Sequence, residues 1–194
     1  MDEMKAKLLK EHLPYEHDML DAAYAFITSD KRNDDAKDRE QWFLRNAAIV
    51  AFWTHARNLI EFYEKSPHAS ASASDFTTER LWPEFRLKKG QPAEEKAGEE
   101  LRTLINEQIS HLKYERVKAP HDKLGEYDPY NVKTAIDRAR RKFECLLTPE
   151  AKAIWKNRQS PAAVIYGDGA ATNCIEIIET QPLSPSPHKG DQET

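Results

Sequence analysis

His111 is the residue of this 194-residue sequence best suited to chemistry near neutral pH. It sits in the run Asn106, Glu107, Gln108, Ile109, Ser110, His111, Leu112, with Arg102 upstream and Arg116 downstream. An imidazole titrates in that range, and one held at helical spacing from amide and guanidinium groups has the makings of general acid–base chemistry. The same side chains have a plainer reading. His55, Arg57, Asn58, Glu61, Asp75, Asn106, His111 and Arg116 would satisfy one another as a polar cluster inside a helical bundle, since buried polar groups must find partners. Arg57 and Glu61 are one helical turn apart and are expected to pair. His55 falls on an apolar stripe, where a histidine supports the core.

Those residues need helices to position them. Pro14 to Thr28 carries Leu20, Tyr24 and Ile27 at three- and four-residue spacing and reads as a short amphipathic helix. A longer one is expected from about Asp38 to Glu64, with Ala48, Phe52, His55, Leu59 and Phe62 in one stripe and Ile49, Trp53, Ala56, Ile60 and Tyr63 in a second. Two adjacent stripes predict a central helix whose polar line is Thr54, Arg57, Asn58 and Glu61. Ser66 to Ser74 is small, polar and aperiodic, and reads as a flexible loop. Trp82, Pro83 and Phe85 suit an irregular segment laid over the core, because Pro83 resists helix while the aromatics favour burial.

The helix carrying His111 has Leu101, Ile105, Ile109 and Leu112 as its buried positions, flanked by Leu104. Another follows with Asn131 as its cap and Val132, Ile136, Ala139, Phe143 and Leu146 at core spacing. Thr148, Pro149 and Glu150 give a cap, a first-turn proline and an acidic first turn to a short helix with Ile154 and Trp155. Ala163 to Tyr166 and Cys174 to Glu179 are β-prone runs that a small hairpin would join, and Gln181 to Thr194 reads as a disordered tail. The expectation is an all-α bundle of four to five helices over residues 1–158, an appendage over 159–180 with a β-hairpin, and a tail over 181–194.

Composition narrows the classes of function. A formal net charge of −4, with 32% charged residues of mixed sign, suits solvated helix faces and argues against a strongly basic nucleic-acid binder. Arg138, Arg141 and Lys142 share an exposed face opposite Ile136, Ala139 and Phe143 and form a nucleic-acid-binding candidate, although Asp137 and Glu144 interleave as on an ordinary solvated face. Two cysteines, Cys145 and Cys174, make no disulfide framework, and the charged start lacks an apolar signal core, so a cytoplasmic protein is expected. No run reaches the roughly 18 apolar residues of a membrane span. No paired metal-ligand motif, phosphate loop or nucleophile motif is present, so no metal and no cofactor is expected.

Three separated motifs carry a resemblance: Phe52 to Phe62 (Phe, Trp, Thr, His, Ala, Arg, Asn, Leu, Ile, Glu, Phe), Asp75 with Phe76, and Ile105 to Arg116. Over roughly residues 15–147 the chain resembles a widespread family of bacterial helical-bundle proteins and, more remotely, the HEPN superfamily of helical nucleic-acid-associated domains. The HEPN resemblance implies a metal-independent ribonuclease of a toxin–antitoxin or antiphage system, assembled across a homodimer, with an Arg followed four to six residues later by a His. Here Asn106 stands where that Arg belongs, and Arg102 is too far upstream to fit. The resemblance then implies His111 as general acid or base, Asn106 as a donor, and Arg102 or Arg116 in place of the missing cation. On an ideal α-helix the step from Asn106 to His111 turns about 140°, so the two would flank a groove or meet a partner's copies across a two-fold axis.

Two functions therefore stand. One is a helical binding or regulatory module that dimerises or docks a protein partner, with a structural polar cluster between its helices. The other is the HEPN-like ribonuclease acting on RNA, centred on His111.

Overall fold

Asp2 starts the first helix by accepting from Lys5 N at 2.8 Å. In the computed structural model, which describes residues 1–29, 39–64, 71–81, 85, 97–110, 124 and 127–159, α1 (Glu3–Lys7) leads through a π-helical turn (Leu8–His12) into α2 (Leu13–Thr28). The helix thus begins well before Pro14, where the apolar spacing alone had placed it. Pro14 accounts for the change of winding. It has no N–H for the carbonyl of Lys10, and its ring crowds that oxygen, so the ladder widens by one residue just upstream. The Lys10 oxygen instead accepts from Gln159 N at 3.3 Å, which ties the end of the last helix to this turn.

α3 (Arg39–Glu64) follows the expected bounds closely, yet it is central only over its second half. Phe52, Trp53, Ala56, Leu59, Ile60, Phe62 and Tyr63 are buried, whereas Trp42, Phe43 and Val50 in the first half are exposed. The expected loop over Ser66 to Ser74 is corrected where the structure describes it. Ala73–Asp75 is a 3₁₀ turn, Ser72 is fully buried, and the turn is held by a reciprocal capping box between Ser72 and Asp75. Downstream, Thr78 N donates to Leu146 O at 2.8 Å and Thr148 N to Phe76 O at 2.9 Å, around an antiparallel bridge between Thr77 and Leu147. Phe85 is buried, as expected, and so is Leu81, while Trp82 and Pro83 lie outside the described residues.

α4 (Ala97–Ile105) buries Leu101 and Ile105 and runs into a second π turn, Asn106–Ser110. α5 (Pro129–Leu146) is capped by Asp128, whose carboxylate accepts from Tyr130 N, and not by Asn131. The cap falls earlier because Pro129 suits the first helical position, where its missing N–H costs nothing. α6 (Pro149–Lys156) has the expected Thr148 cap, with Ala151 N donating to Thr148 Oγ1 at 3.2 Å. Phe143 of α5 occupies the middle of the core, its ring edge-on to Phe62, Tyr63, Phe76 and Trp155 at centroid distances of 5.7, 5.8, 6.5 and 5.9 Å.

The protein is an all-α helical bundle of about five helices, within a compact unit spanning Met1–Ser160. The hairpin and tail expected beyond residue 159 lie outside the described residues. Among the described residues no helix is long and apolar enough to cross a membrane.

Candidate functional site

Glu16 on α2 organises the polar line of α3. Its Oε2 lies 2.8 Å from His55 Nδ1 and accepts from Asn58 Nδ2 at 3.1 Å. With a carboxylate oxygen as the acceptor, Nδ1 is the ring nitrogen that carries the hydrogen. The network continues along α3. Arg57 donates to Asn58 Oδ1 at 3.1 Å and pairs with Glu61 at 3.4 Å, the i,i+4 pair read from the sequence. Tyr15, next to Glu16, sets its ring edge-on to the imidazole at 5.6 Å. Helical spacing explains the gathering. His55 and Asn58 are three residues apart and face the same way, so one acid from the neighbouring helix reaches both. Contacts of this kind to a charged group contribute roughly 1.5–3 kcal/mol each when shielded from water.

Of the residues singled out by sequence, His55, Arg57, Asn58 and Glu61 come together in this way, while Asp75 is engaged elsewhere. Its carboxylate accepts from Ser72 N at 2.8 Å and pairs with Lys5 at 3.3 Å, closing the 3₁₀ turn and linking it to α1. Arg102 reaches from α4 to Glu64 at the end of α3, at 3.3 Å. Among the described residues, the buried Nε atoms of Arg57 and Arg102 meet no hydrogen-bond partner. Asn106 is half-buried at the start of the second π turn, a segment packed against α3. In that turn hydrogen bonds run to the fifth residue, so the angular spacing of an α-helix does not apply there. His111 and Arg116 lie outside the described residues. Arg138, Arg141 and Lys142 are exposed on α5, as read from the helical spacing.

A second titratable group escaped the sequence reading. His17, 1% exposed, shares a 2.8 Å hydrogen bond between its Nε2 and the hydroxyl of the buried Tyr63. Burial, with smaller contributions from Arg140, Lys133 and Arg158, lowers its pKa to about 3, so the ring is neutral across the physiological range. Burial likewise raises the Tyr63 phenol well above its usual range. The available signal was position: His17 lies between Leu13 and Leu20 at the four- and three-residue steps of a core stripe.

Charged side chains surround this pair. Lys133 sits between Asp21 of α2 at 2.8 Å and Asp137 at 2.7 Å. Two hydrogen-bonded carboxylates outweigh its partial burial and raise the ammonium pKa. Arg140 and the Trp155 indole both donate to Glu144 Oε1, at 3.2 and 3.1 Å, and the Arg158 guanidinium lies over the Trp155 ring at 4.5 Å. Among the described residues no group of three His, Cys, Asp or Glu side chains could hold a metal ion.

Fold and site together define a helical module whose helices are joined by a polar and salt-bridge network. No family model, curated protein or solved structure matches the chain.

Proposed function

We propose that this chain is a helical binding or regulatory module that works by docking another chain, with the polar network between α2 and α3 fixing the geometry of its surface and with no turnover step at His111. One observation carries the reading: Glu16 Oε2 holds His55 and Asn58 at once, so the best-placed acid–histidine pair of the described residues is engaged in joining two helices. A network closed in this manner specifies how helices pack. The competing activity is the metal-independent ribonuclease implied by the HEPN resemblance, and it makes a different demand. It needs a base at the 2′-hydroxyl and a cation at the phosphorane oxygens, and Asn106 can donate a hydrogen bond but carries no charge.

The test is RNA cleavage by the purified full chain and by His111→Ala, with single-stranded and structured RNA, in the presence of a chelator. Both proteins are expected to leave the RNA intact over hours. Cleavage by the wild type that falls by about 10²-fold or more in His111→Ala, at unchanged melting temperature, would overturn the proposal.

A further inference from the structure

We infer that the first half of α3 is the face on which the module pairs with a second copy of itself, antiparallel about a two-fold axis close to Asn46 and Ala47; this rests on the binding-module reading and names its partner. Trp42, Phe43 and Val50 are 57%, 63% and 47% exposed, on a helix whose second half is deeply buried. Phe43, Ala47 and Val50 recur at the four- and three-residue steps that put side chains on one helix face, and Trp42 flanks them. Large apolar side chains gathered on one face differ from the scattered exposed hydrophobics of any surface.

The area suits a modest dimer. At the usual size of these side chains the exposed fractions leave roughly 350 Å² of apolar surface. One side of a standard interface buries about 800 Å², of which somewhat over half is apolar. The stripe thus supplies most of the apolar share.

Self-pairing is favoured by what lies at the centre of the stripe. A two-fold axis sets each residue near it against its own copy, so a charge there would meet a like charge. Asn46 and Ala47 carry none. Ala47 is small enough for two helix axes to approach within about 8–10 Å. Asn46 donates its amide to Trp42 O at 2.7 Å, so one of its donors is satisfied within the helix and asks for less from water. With the axis at this point, Phe43 of each copy faces Val50 of the other, one turn from the axis on either side.

Sedimentation velocity on the full chain at about 50 μM, above the micromolar dissociation constant of a small interface, tests the inference. The wild type is expected at twice its chain mass of 22.4 kDa. Phe43→Glu and Val50→Glu are expected at the monomer mass with unchanged circular dichroism and melting temperature. Tyr130→Glu, which alters an exposed aromatic on α5, should remain dimeric. Ala47→Cys should form a disulfide-linked dimer on mild oxidation, at a yield well above that of the unsubstituted chain. A monomeric wild type would overturn the inference and leave the face to a different partner, and dimeric Phe43→Glu and Val50→Glu would overturn it by moving the interface elsewhere. Neither result would bear on RNA turnover, so the failure of the binding-module reading is read separately.

Discussion

Phe143→Ala is expected to lower the free energy of unfolding by about 3–5 kcal/mol, a large part of the roughly 5–15 kcal/mol that holds a domain of this size together. Phe143 is fully buried, and its ring meets four others, drawn from α3, from the segment after the 3₁₀ turn and from α6. Truncation removes the transfer energy of the ring and leaves a cavity whose walls belong to separate elements, so no single element can move in to fill it. Urea unfolding should show a lower midpoint with the slope preserved. Should the alanine variant fail to fold, Phe143→Leu, which keeps most of the volume, is expected to lose about 1–2 kcal/mol. A loss below about 1 kcal/mol in the alanine variant would show that the ring is not the shared centre of the core.

Acidification gives the second large effect. The His17 pKa falls from 6.5 to about 3 in the folded chain, so between those values the unfolded chain binds a proton that the folded chain does not. The associated stability is fully present above pH 6.5 and is lost as the pH falls toward 3. At pH 5 the loss is about 2 kcal/mol, and near pH 3 about 4 kcal/mol. The first corresponds to a drop of about 4–8 °C in melting temperature for a chain of this length.

Carboxylates titrate in the same range, so the informative quantity is the difference between the wild type and His17→Gln, which keeps a hydrogen-bonding group near Tyr63 but has no charge to gain. The difference should shrink progressively from pH 7.5 to pH 5, because only the wild type carries this slope. Parallel pH profiles for the two proteins would contradict the assignment.

The helices themselves were legible because they obey simple rules. The double stripe from Ala48 to Tyr63 took in the buried half of α3, which begins at Phe52, and Thr148 with Pro149 fixed the start of α6. The rest depended on contacts between elements. Nothing local in Pro14 says that the Lys10 carbonyl it frees will be met by Gln159, or that the helix will run back to Glu3. Asn131 has the right side chain for a cap, but Asp128 followed by Pro129 competes better for the same helix end.

The site divides in the same way. The i,i+4 pairing of Arg57 with Glu61 follows from one helix alone, whereas Glu16 joins His55 and Asn58 only once α2 lies beside α3. Asp75 looked like a member of that cluster because its type and its place in a motif were visible, while its capping of Ser72 was not. His17 was hidden by its company: a histidine between two leucines at core spacing reads as a gap in the stripe until Tyr63 is seen to fill its hydrogen bond.

The measurement that bears most directly on the central claim is a double-mutant cycle on Glu16 and His55, read by urea unfolding near neutral pH. If the network joins α2 to α3, Glu16→Ala and His55→Ala should each destabilise the chain, and the double variant should lose less than their sum by about 1–2 kcal/mol. A coupling energy indistinguishable from zero, with both single variants as stable as the wild type, would contradict the account, because the pair would then be free of any structural duty.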